Sequence, residues 1–421
     1  MTELSPTATL AHFCAHLEPD GLGPPVATQT GRLLLDFLGV AARGSQSPST
    51  GALARALETL EVGDGTQPLI ATARTAPPLA AALVHGTAAH SLELDDLHNA
   101  SSTHPGVVIF PAAIAAAQLT QASPGAFIAA VAVGYEVATR VGSAVNPATH
   151  YARGFHPTAT CGAFGAAAAA GRLLGFSAEG LAQAWGICGS AASGSMAFLS
   201  GGAWTKHLQV GRAAECGLQA AMLAREGFRA PRAIFEDPLG FLTAYAVEPK
   251  PSHLTEALGE RWAVQEVSLK PHACCRYMQP AIDGLIALAD EYDLSPEDVA
   301  AVTVHCLPAG FRIIAEPAEQ KANPEQTTEA QFSMPYGAAV ALARRRAGLE
   351  EFAGEALGDP TVRALMPKVR CLRDEELGKA WPERWPAVVA VETTDGRQLT
   401  RRVDDPKGDP TNPLTDAEIV A

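Results

Sequence analysis

One short stretch of the sequence concentrates side chains that can move protons. Residues 90–104 carry three histidines and three carboxylates, namely His90, Glu93, Asp95, Asp96, His98 and His104. Burying acids and imidazoles at this density costs free energy, so a chain that places them beside apolar segments usually has a use for them. The stretch therefore predicts acid–base chemistry at a partly desolvated site.

Three further segments place a basic side chain beside a turn or a run of small residues. They are centred on His156, which like His104 precedes a proline, on Lys206 and on Lys270. Taken singly, a His-Pro pair is usually a turn and a lysine is usually solvated. Together with the acidic stretch, these segments predict a pocket for a small polyanion that is equipped with acid and base groups.

Several common catalytic motifs are missing from the sequence. It has no GxGxxG after a strand, no GxxxxGK[ST], no GxSxG and no HExxH, so nucleotide binding, α/β-hydrolase chemistry and zinc proteolysis lose their usual support. The histidines and carboxylates at His90, Glu93 and His98 fit no standard spacing of metal ligands. The sequence therefore implies neither a metal nor an organic cofactor.

Composition and charge narrow the class of protein. With 421 residues the chain exceeds what one compact core normally supports, and its 47% hydrophobic content excludes a disordered class. The net charge of −14 argues against nucleic acid or an anionic membrane as a partner, although a few lysines in a pocket still suit an anionic substrate. No secretory signal and no apolar run of about 20 residues is visible, so we expect a cytoplasmic protein. Eight cysteines without a CxxC pair predict buried free thiols.

Apolar residues recur at helical spacing through the first 260 residues. Helices are predicted at residues 25–44, 78–90, 124–140, 160–174, 177–190 and 210–226, and another is opened by the His-Pro-Gly turn at His104. This part is rich in Ala and Gly, and such small side chains predict helices that pack closely, as at the glycine pattern of residues 162–165.

The composition changes near Arg261. Strands at residues 262–269 and 301–307, helices at 281–292 and 332–346, and a hairpin at 387–403 with an Asp-Gly turn predict an α+β module. The predicted fold class is mainly α, with a large all-helical domain (residues 1–262, completed by 404–421) and a smaller α+β lid domain (residues 263–403). A capping box at residues 415–418 is followed by only three residues, so we expect the chain to continue past Ala421.

Four longer motifs stand in order along the chain: DDLHNASSTHPG, GFHPTATCGAFGAAAAAGRLLG, WTKHLQVGRAAECG and KPHACCRYMQPAID. They resemble the MmgE/PrpD family, which includes 2-methylcitrate dehydratase, cis-aconitate decarboxylase and iminodisuccinate epimerase, and the resemblance runs from about Pro25 to the end of the chain. It implies a large helical domain with a smaller α+β lid, a site between the two, and a homodimer.

The resemblance also implies a set of site residues. Carried over residue by residue, it places in the pocket His104, His156, Lys206, Lys270 and Tyr336, with Met196 on the wall. We add as substrate-binding candidates Glu93, Asp96, His98 and Arg276. In an alternative interpretation, Asp95, Asp96 and His98 shape and cap the turn that presents His104.

The expected function is that of a cofactor-independent lyase, a dehydratase or decarboxylase, that moves a proton next to a carboxylate of a small di- or tricarboxylate. Lys270 or His104 would transfer the proton, His156 and Lys206 would hold carboxylates, and Tyr336 would donate from the lid. Each lysine disfavours the protonated form of the other, so one of them is expected to serve as a base near neutral pH.

Two departures from the family pattern keep other functions open. Glu93 stands where decarboxylase-like members have Asp, Leu97 stands where they have Thr, and one extra residue separates Leu97 from His104. These departures argue against cis-aconitate decarboxylation itself. The alternatives are an epimerase or racemase of an amino- or imino-dicarboxylate, and a non-catalytic binding protein on the same scaffold.

Overall fold

A computed structural model of the chain describes residues 4–420. Its N-terminal part consists mainly of helices, with two small strand pairs. In chain order these elements are α1 Pro6–His16, α2 Gly23–Gly44, α3 Pro48–Thr59, β1 Gln67–Pro68, β2 Thr75–Ala76, α4 Pro78–His90, β3 Leu97–His98, α5 Gly106–Thr120, α6 Pro124–Ala144, α7 Pro147–Ala152, α8 Pro157–Leu173, α9 Ala178–Ala191, α10 Thr205–Arg225, α11 Phe241–Tyr245 and β4 Val267–Ser268. Each helix predicted in this part is present, with ends that differ by a few residues.

Capping residues explain where several of these helices begin. The Ser123 side chain accepts a hydrogen bond from the backbone N–H of Ala126 at the start of α6, and Pro124 occupies the first helical position. Ser177 caps α9 in the same way through Gly180 N–H. A serine cap satisfies an otherwise unpaired N–H group, and proline has none to lose at that position.

Small residues bring the central helices close together. A Cβ atom added to Gly165 of α8 would lie 2.5 Å from the carbonyl oxygen of Gly134 in α6. One added to Gly211 of α10 would lie 2.3 Å from the carbonyl oxygen of Leu83 in α4. Larger side chains would push these helices apart, since protein interiors hold few gaps. The close packing predicted from the Ala and Gly content is confirmed.

The C-terminal part combines short helices with a four-stranded sheet. Its elements are α12 Gln279–Glu291, β5 Val299–Cys306, α13 Pro308–Ile314, α14 Ala318–Lys321, α15 Thr327–Gln331, α16 Met334–Arg344, α17 Pro360–Leu365, β6 Val369–Arg373, α18 Glu375–Gly378, β7 Ala387–Thr393, β8 Gln398–Val403 and α19 Asp416–Val420. The strand order is β6-β5-β7-β8, with β5 parallel to β6 and antiparallel to β7. The predicted hairpin is β7–β8, which turns at Gly396 with φ +87°.

The predicted fold class, mainly α with a smaller α+β part, is confirmed, but one predicted strand is wrong for most of its length. Within residues 262–269, Ala263–Glu266 form a 3-10 turn and only Val267–Ser268 pair as a strand. The backbone N–H of Ala263 donates to the Glu136 carboxylate of α6 instead of to a strand. Strand β6 was not predicted, because it is short and carries two arginines.

Buried apolar side chains form two large clusters. One is drawn from residues 10–269 and the other, which includes the sheet, from residues 97–399. Leu97 and Phe198 of the helical part belong to the second cluster, so the two parts share packing. The domain limits near residues 262 and 403 stay a prediction.

The end of the described chain packs on α2. Thr415 N–H and Oγ1 donate to Glu418 Oε2 at 2.7 and 2.8 Å, which confirms the predicted capping box. Asp416 lies 3.1 Å from Arg32 of α2. Ala421 lies outside the described residues.

All eight cysteines are free thiols, and six of them are buried, as predicted. Helix α6 is long and apolar enough to cross a membrane by length and composition, although the sequence shows no uninterrupted apolar run of about 20 residues. Within the molecule 72% of its apolar window is buried, which is typical of the core helix of a globular fold.

Candidate active site

The candidate site lies where the ends of four helices meet beside one loop. α4 ends at His90, α5 begins just after His104, α8 begins after His156, and Lys206 stands in the first turn of α10. Three helix N-termini therefore meet at the site, and unpaired N–H groups at such termini favour anions. The loop of residues 91–105 runs between them.

A two-residue ladder brings Lys270 to the same place. β3 pairs with β4, with Leu97 opposite Ser268. Beyond β4, the N–H of Leu269 donates to the carbonyl oxygen of Gly408 at 3.0 Å. Gly408 has φ +92° and approaches so closely that a Cβ atom would lie 1.8 Å from the Leu269 carbonyl oxygen. The segment is held from both sides, and Lys270 extends from it to the carboxylates of the loop.

Asp95 is the carboxylate around which the site is arranged. Its Oδ2 lies 2.7 Å from His90 Nδ1 and 2.8 Å from His104 Nδ1, and its Oδ1 lies 3.4 Å from Lys270 Nζ. The His90 contact is a hydrogen bond, whereas the His104 nitrogen lies outside hydrogen-bond angles. Asp95 is 1% exposed, so these partners replace its water.

Glu93 lies between the two lysines. Its Oε1 pairs with Lys206 Nζ, and its Oε2 lies 3.6 Å from Lys270 Nζ. All three side chains are buried. The backbone of Glu93 has φ +56°, in the left-handed region that residues with a side chain rarely adopt. Backbone outliers of this kind cluster at functional sites, where the surrounding structure holds them.

Two phenylalanines close one side of the site. The ring of Phe198 lies 5.4 Å from that of His156, and Lys206 Nζ lies 5.3 Å from the centre of the Phe332 ring. A cavity of about 20 Å³ lies beside the two phenylalanines, lined also by Gly202. That is room for about one water molecule. The two phenylalanines therefore form an apolar wall beside His156 and Lys206.

Burial keeps the histidines of the site neutral. It lowers the pKa of His90 to about 3, and it lowers the pKa of His104 and of His156 below the ordinary value, with the Lys206 charge acting in the same direction. For His90 and His104 the Asp95 carboxylate offsets only part of this effect. A neutral imidazole can accept a proton, and His104, 9% exposed, is the least buried of the three.

The surroundings of Lys270 favour its charged form, which argues against Lys270 as the lysine of the pair that serves as a base. Burial alone would lower the pKa of Lys270, but the Asp95 and Glu93 carboxylates outweigh burial and raise it. The lysines in turn hold the pKa of Glu93 below its ordinary value, although burial acts to raise it. The pKa of Asp95 is lowered well below its ordinary value against burial, by His90 and Lys270.

Asp96 supports the loop that carries His104. Its Oδ1 accepts from Gly106 N–H at 3.0 Å and its Oδ2 accepts from the Tyr135 hydroxyl at 2.6 Å. The N–H of His104 donates to Thr158 Oγ1 at 3.0 Å. These bonds fix the turn that presents His104, and they favour the interpretation in which Asp96 shapes the turn over the one in which it binds substrate.

Replacing Asp96 by asparagine is expected to change how stability depends on pH. Burial raises the pKa of Asp96 to about 7, against the hydrogen bond from Tyr135. A carboxyl group whose pKa is raised on folding stabilises the native state at low pH, and this contribution is lost as pH rises through the folded-state pKa. The stability of the wild type relative to Asp96→Asn should therefore fall from about pH 4 to about pH 7, by at most about 1.4 kcal/mol per pH unit.

Urea denaturation across that pH range measures this difference. Asp64→Asn, at an exposed loop carboxylate, is the control and should show a difference that does not vary with pH. A pH-independent difference for Asp96→Asn as well would mean that Asp96 is ionised in the folded protein.

The other substrate-binding candidates have contacts with residues outside the cluster of lysines and histidines. His98 Nε2 lies 3.3 Å from Glu266 Oε2. The guanidinium of Arg276 pairs with Asp409. Met196 begins a 3-10 turn and is partly buried. The contacts of His98 also favour a structural role in the turn.

Tyr336 is placed elsewhere than predicted. Its hydroxyl donates to the carbonyl oxygens of Glu351 at 2.7 Å and Ala356 at 3.1 Å, and its ring packs 5.6 Å from that of Phe352. The residue is fully buried in the C-terminal part. The prediction that it donates a proton into the pocket is therefore corrected, because its proton is already shared between two backbone carbonyls.

Two histidines of the site were not among the individual site residues predicted from the sequence. His90 lies 5.0 Å from His104, 5.9 Å from His156 and 6.4 Å from His207, measured between ring centres. His207 is buried, and its Nε2 has no hydrogen-bond partner among the described residues. Their sequence context could have indicated them, since His90 ends an apolar helix and His207 follows Lys206 directly.

Three ligand atoms of the site lie close enough to hold a metal ion. Those of His90, Asp95 and His104 are within 4.8 Å of one another, and two histidines with one carboxylate form a known metal-binding set. The Lys270 ammonium, 3.4 Å from Asp95, opposes a cation at this position. The donor set therefore suits an anionic ligand better than a metal.

Comparisons with known proteins agree with the motifs. The family model described as MmgE/PrpD N-terminal domain matches residues 8–254, and the MmgE/PrpD C-terminal domain matches residues 272–421. The chain is 32% identical to the cis-aconitate decarboxylase-like protein oryM of Aspergillus oryzae, with 98% of this chain and 88% of that protein aligned.

Two more distant relatives are cis-aconitate decarboxylases. The cis-aconitate decarboxylase of Aspergillus terreus is 27% identical, over 96% of this chain and 85% of that protein. The cis-aconitate decarboxylase of Homo sapiens is 28% identical, over 82% of this chain and 71% of that protein. Similarity therefore extends over nearly the whole chain.

Proposed function

This chain belongs to the MmgE/PrpD family and is an enzyme of that type, and from this premise we propose that it is a lyase acting on a small di- or tricarboxylate. The observation that carries the proposal is the pair of buried lysines beside neutral histidines. Lys206 and Lys270 share the Glu93 carboxylate, and His104 lies next to Asp95. Lysines excluded from water are suited to holding substrate carboxylates and the negative charge that develops during reaction.

Decarboxylation of an unsaturated tricarboxylate is the first reaction to test, because a cis-aconitate decarboxylase and a cis-aconitate decarboxylase-like protein align with nearly the whole chain. Glu93 and Leu97 depart from the pattern of decarboxylase-like family members. The identity of the substrate, and decarboxylation rather than dehydration, are therefore part of our proposal. Leu97 is 3% exposed and packs in the apolar cluster of the C-terminal part.

The proposed roles follow from protonation states. In a decarboxylation, the carbon–carbon bond to the departing carboxylate breaks, its electron pair stays on carbon, and a proton joins that carbon. Lys270, whose pKa is raised by Asp95 and Glu93 against burial, would supply the proton or stabilise the charge. In a dehydration, neutral His104 would take the proton from carbon, the electron pair of that bond would form the carbon–carbon double bond, and the hydroxyl group on the neighbouring carbon would leave as water with a proton from Lys270. Lys206 and His156 would hold the remaining carboxylates.

Incubation in D₂O followed by NMR tests the proposal. The panel contains cis-aconitate, a citrate-like hydroxy acid and an amino-dicarboxylate. Loss of carbon dioxide or water, with one deuterium incorporated on decarboxylation, is expected for a lyase. Deuterium in recovered substrate without such loss would favour the epimerase alternative. A thermal shift without turnover of any acid would favour the binding protein.

We also propose that the enzyme acts as a cytoplasmic homodimer that binds neither nucleic acid nor a membrane. Trp204 and Leu208, at the start of α10 beside Lys206, are 45% and 38% exposed, and such apolar side chains suit contact with a second copy. Sedimentation of the purified protein tests the assembly. A monomer at all accessible concentrations would contradict it.

The substitution Tyr336→Phe is expected to leave turnover of the substrate unchanged within about twofold. The Tyr336 hydroxyl is hydrogen-bonded to two backbone carbonyls and is not expected to take part in the reaction. The free energy of unfolding should fall by about 1–2 kcal/mol, since two buried acceptors lose their donor. Steady-state kinetics and urea denaturation measure the two effects. A large fall in kcat at unchanged stability would show that the Tyr336 hydroxyl takes part in the reaction.

A further inference from the structure

The charged groups of the site cancel one another. Lys206 and Lys270 contribute two ammonium groups, and Glu93 and Asp95 contribute two carboxylates that contact them. Other groups face Glu93 from the surrounding elements, namely His90, His207, the Tyr151 hydroxyl and the thiols of Cys274 and Cys275. Burial acts on each of these to favour the uncharged form, so they leave the balance unchanged.

A neutral cluster is a poor receptor for a polyanion. Both lysines that would hold a substrate carboxylate are already paired with Glu93, and all three side chains are buried. A substrate carboxylate therefore has to replace something that now occupies the site.

The carboxylate of Glu93 has the chemistry and the position of a bound substrate carboxylate. We infer that Glu93 is an internal ligand of Lys206 and Lys270, and that the substrate binds by displacing its carboxylate from the two lysines. This inference rests on the proposed function, because it takes the substrate to be a carboxylate. The backbone of Glu93 has φ +56°, a conformation with a cost that persists only where the surrounding structure imposes it, so the carboxylate is held in place beside the lysines.

Displacement has a consequence for protons. A carboxylate moved away from two ammonium groups, but kept in a buried place, loses what held it ionised, and it takes up a proton. Without that proton the occupied site would hold an uncompensated negative charge. Binding of substrate is therefore accompanied by net uptake of about one proton near neutral pH.

Calorimetry on the wild-type protein tests the proton uptake. Tricarballylate, a saturated tricarboxylate, is titrated into the protein in two buffers of different ionisation enthalpy at the same neutral pH. The difference in observed heat gives the number of protons taken up. Uptake near one supports the inference, whereas binding with no uptake overturns it and leaves the substrate class intact. No binding of any acid of the panel overturns the substrate class and the inference together.

The variant Glu93→Gln distinguishes two possibilities, that Glu93 competes with the substrate for the lysines or that it holds the lysines in place for the substrate. If Glu93 competes with substrate, the variant should bind tricarballylate at least about tenfold more tightly, without proton uptake. If Glu93 instead holds the lysines in place for substrate, binding should weaken, and the inference fails. Glu215→Gln is the matched control, because Glu215 lies on α10 with Lys206 but pairs with the exposed Arg212. It should leave affinity and proton uptake unchanged. Should Glu93→Gln not fold, the wild-type calorimetry alone decides.

Discussion

Replacing Lys270 by methionine is expected to lower kcat by about a hundredfold or more, because removal of one buried charge that stabilises a developing anion typically has that effect. Lys270 is 4% exposed and lies 3.4 Å from Asp95 and 3.6 Å from Glu93. Methionine keeps the length of the side chain but supplies neither the charge nor a proton. Steady-state kinetics on the acid that the NMR panel identifies measure the effect.

Two further variants show whether the fall in kcat comes from loss of the Lys270 charge. Lys250→Met removes an exposed lysine and should leave kcat unchanged. Lys270→Arg keeps the charge but changes its shape, and it should retain more activity than methionine if charge is the main contribution. A kcat for Lys270→Met within about threefold of the wild type, at unchanged circular dichroism, would remove Lys270 from the proposed mechanism.

Local sequence signals predicted the helices around the site well, because the information lies in neighbouring residues. α4 begins and ends at the predicted residues, and the proline after Ser123 correctly placed the start of α6. The His-Pro pairs at His104 and His156 do precede helices α5 and α8. Proline at or near the first turn and a capping residue before it are read from a few positions, without knowledge of the rest of the fold.

Long-range contacts explain what the sequence did not predict. Residues 262–269 have strand composition, but Glu136, far away in the chain, takes the N–H of Ala263. Tyr336 lies in a motif that resembles the family, yet its partners at Glu351 and Ala356 are set by how α16 packs. The role of Asp95 likewise depends on Lys270, which reaches it only because β3 pairs with β4.

The charge state of Lys270 could also not be predicted from the sequence. Two lysines in one pocket predicted a lowered pKa for one of them, and spacing along the chain gave no sign that carboxylates would contact both. In the fold, Glu93 and Asp95 lie within 3.6 Å of Lys270, and they raise its pKa against burial. The sign of a pKa shift depends on which charge is closest, and that is a property of the tertiary structure.

Replacing Asp95 by asparagine is expected to lower the free energy of unfolding by about 3–5 kcal/mol, the usual consequence of removing one partner from a buried ion pair. Asp95 accepts from His90 at 2.7 Å and neutralises Lys270, and asparagine supplies neither charge nor a second acceptor oxygen. His104 would also lose the carboxylate 2.8 Å from its Nδ1, so turnover should fall with stability. Urea denaturation and kinetics measure both.

The pH dependence identifies the carboxylate charge as the cause. The pKa of Asp95 is held well below its ordinary value by His90 and Lys270, although burial acts to raise it. A group whose pKa is lowered on folding stabilises the protein above its unfolded-state pKa, and that contribution is lost as pH falls. The difference between wild type and Asp95→Asn should therefore be full at neutral pH and shrink below about pH 4. Asp283→Asn, at a less buried carboxylate 2.8 Å from His272, is the matched control and should have a smaller effect. A loss below about 1 kcal/mol for Asp95→Asn, no larger than for a surface pair, would show that Asp95 does not hold Lys270 in its charged form.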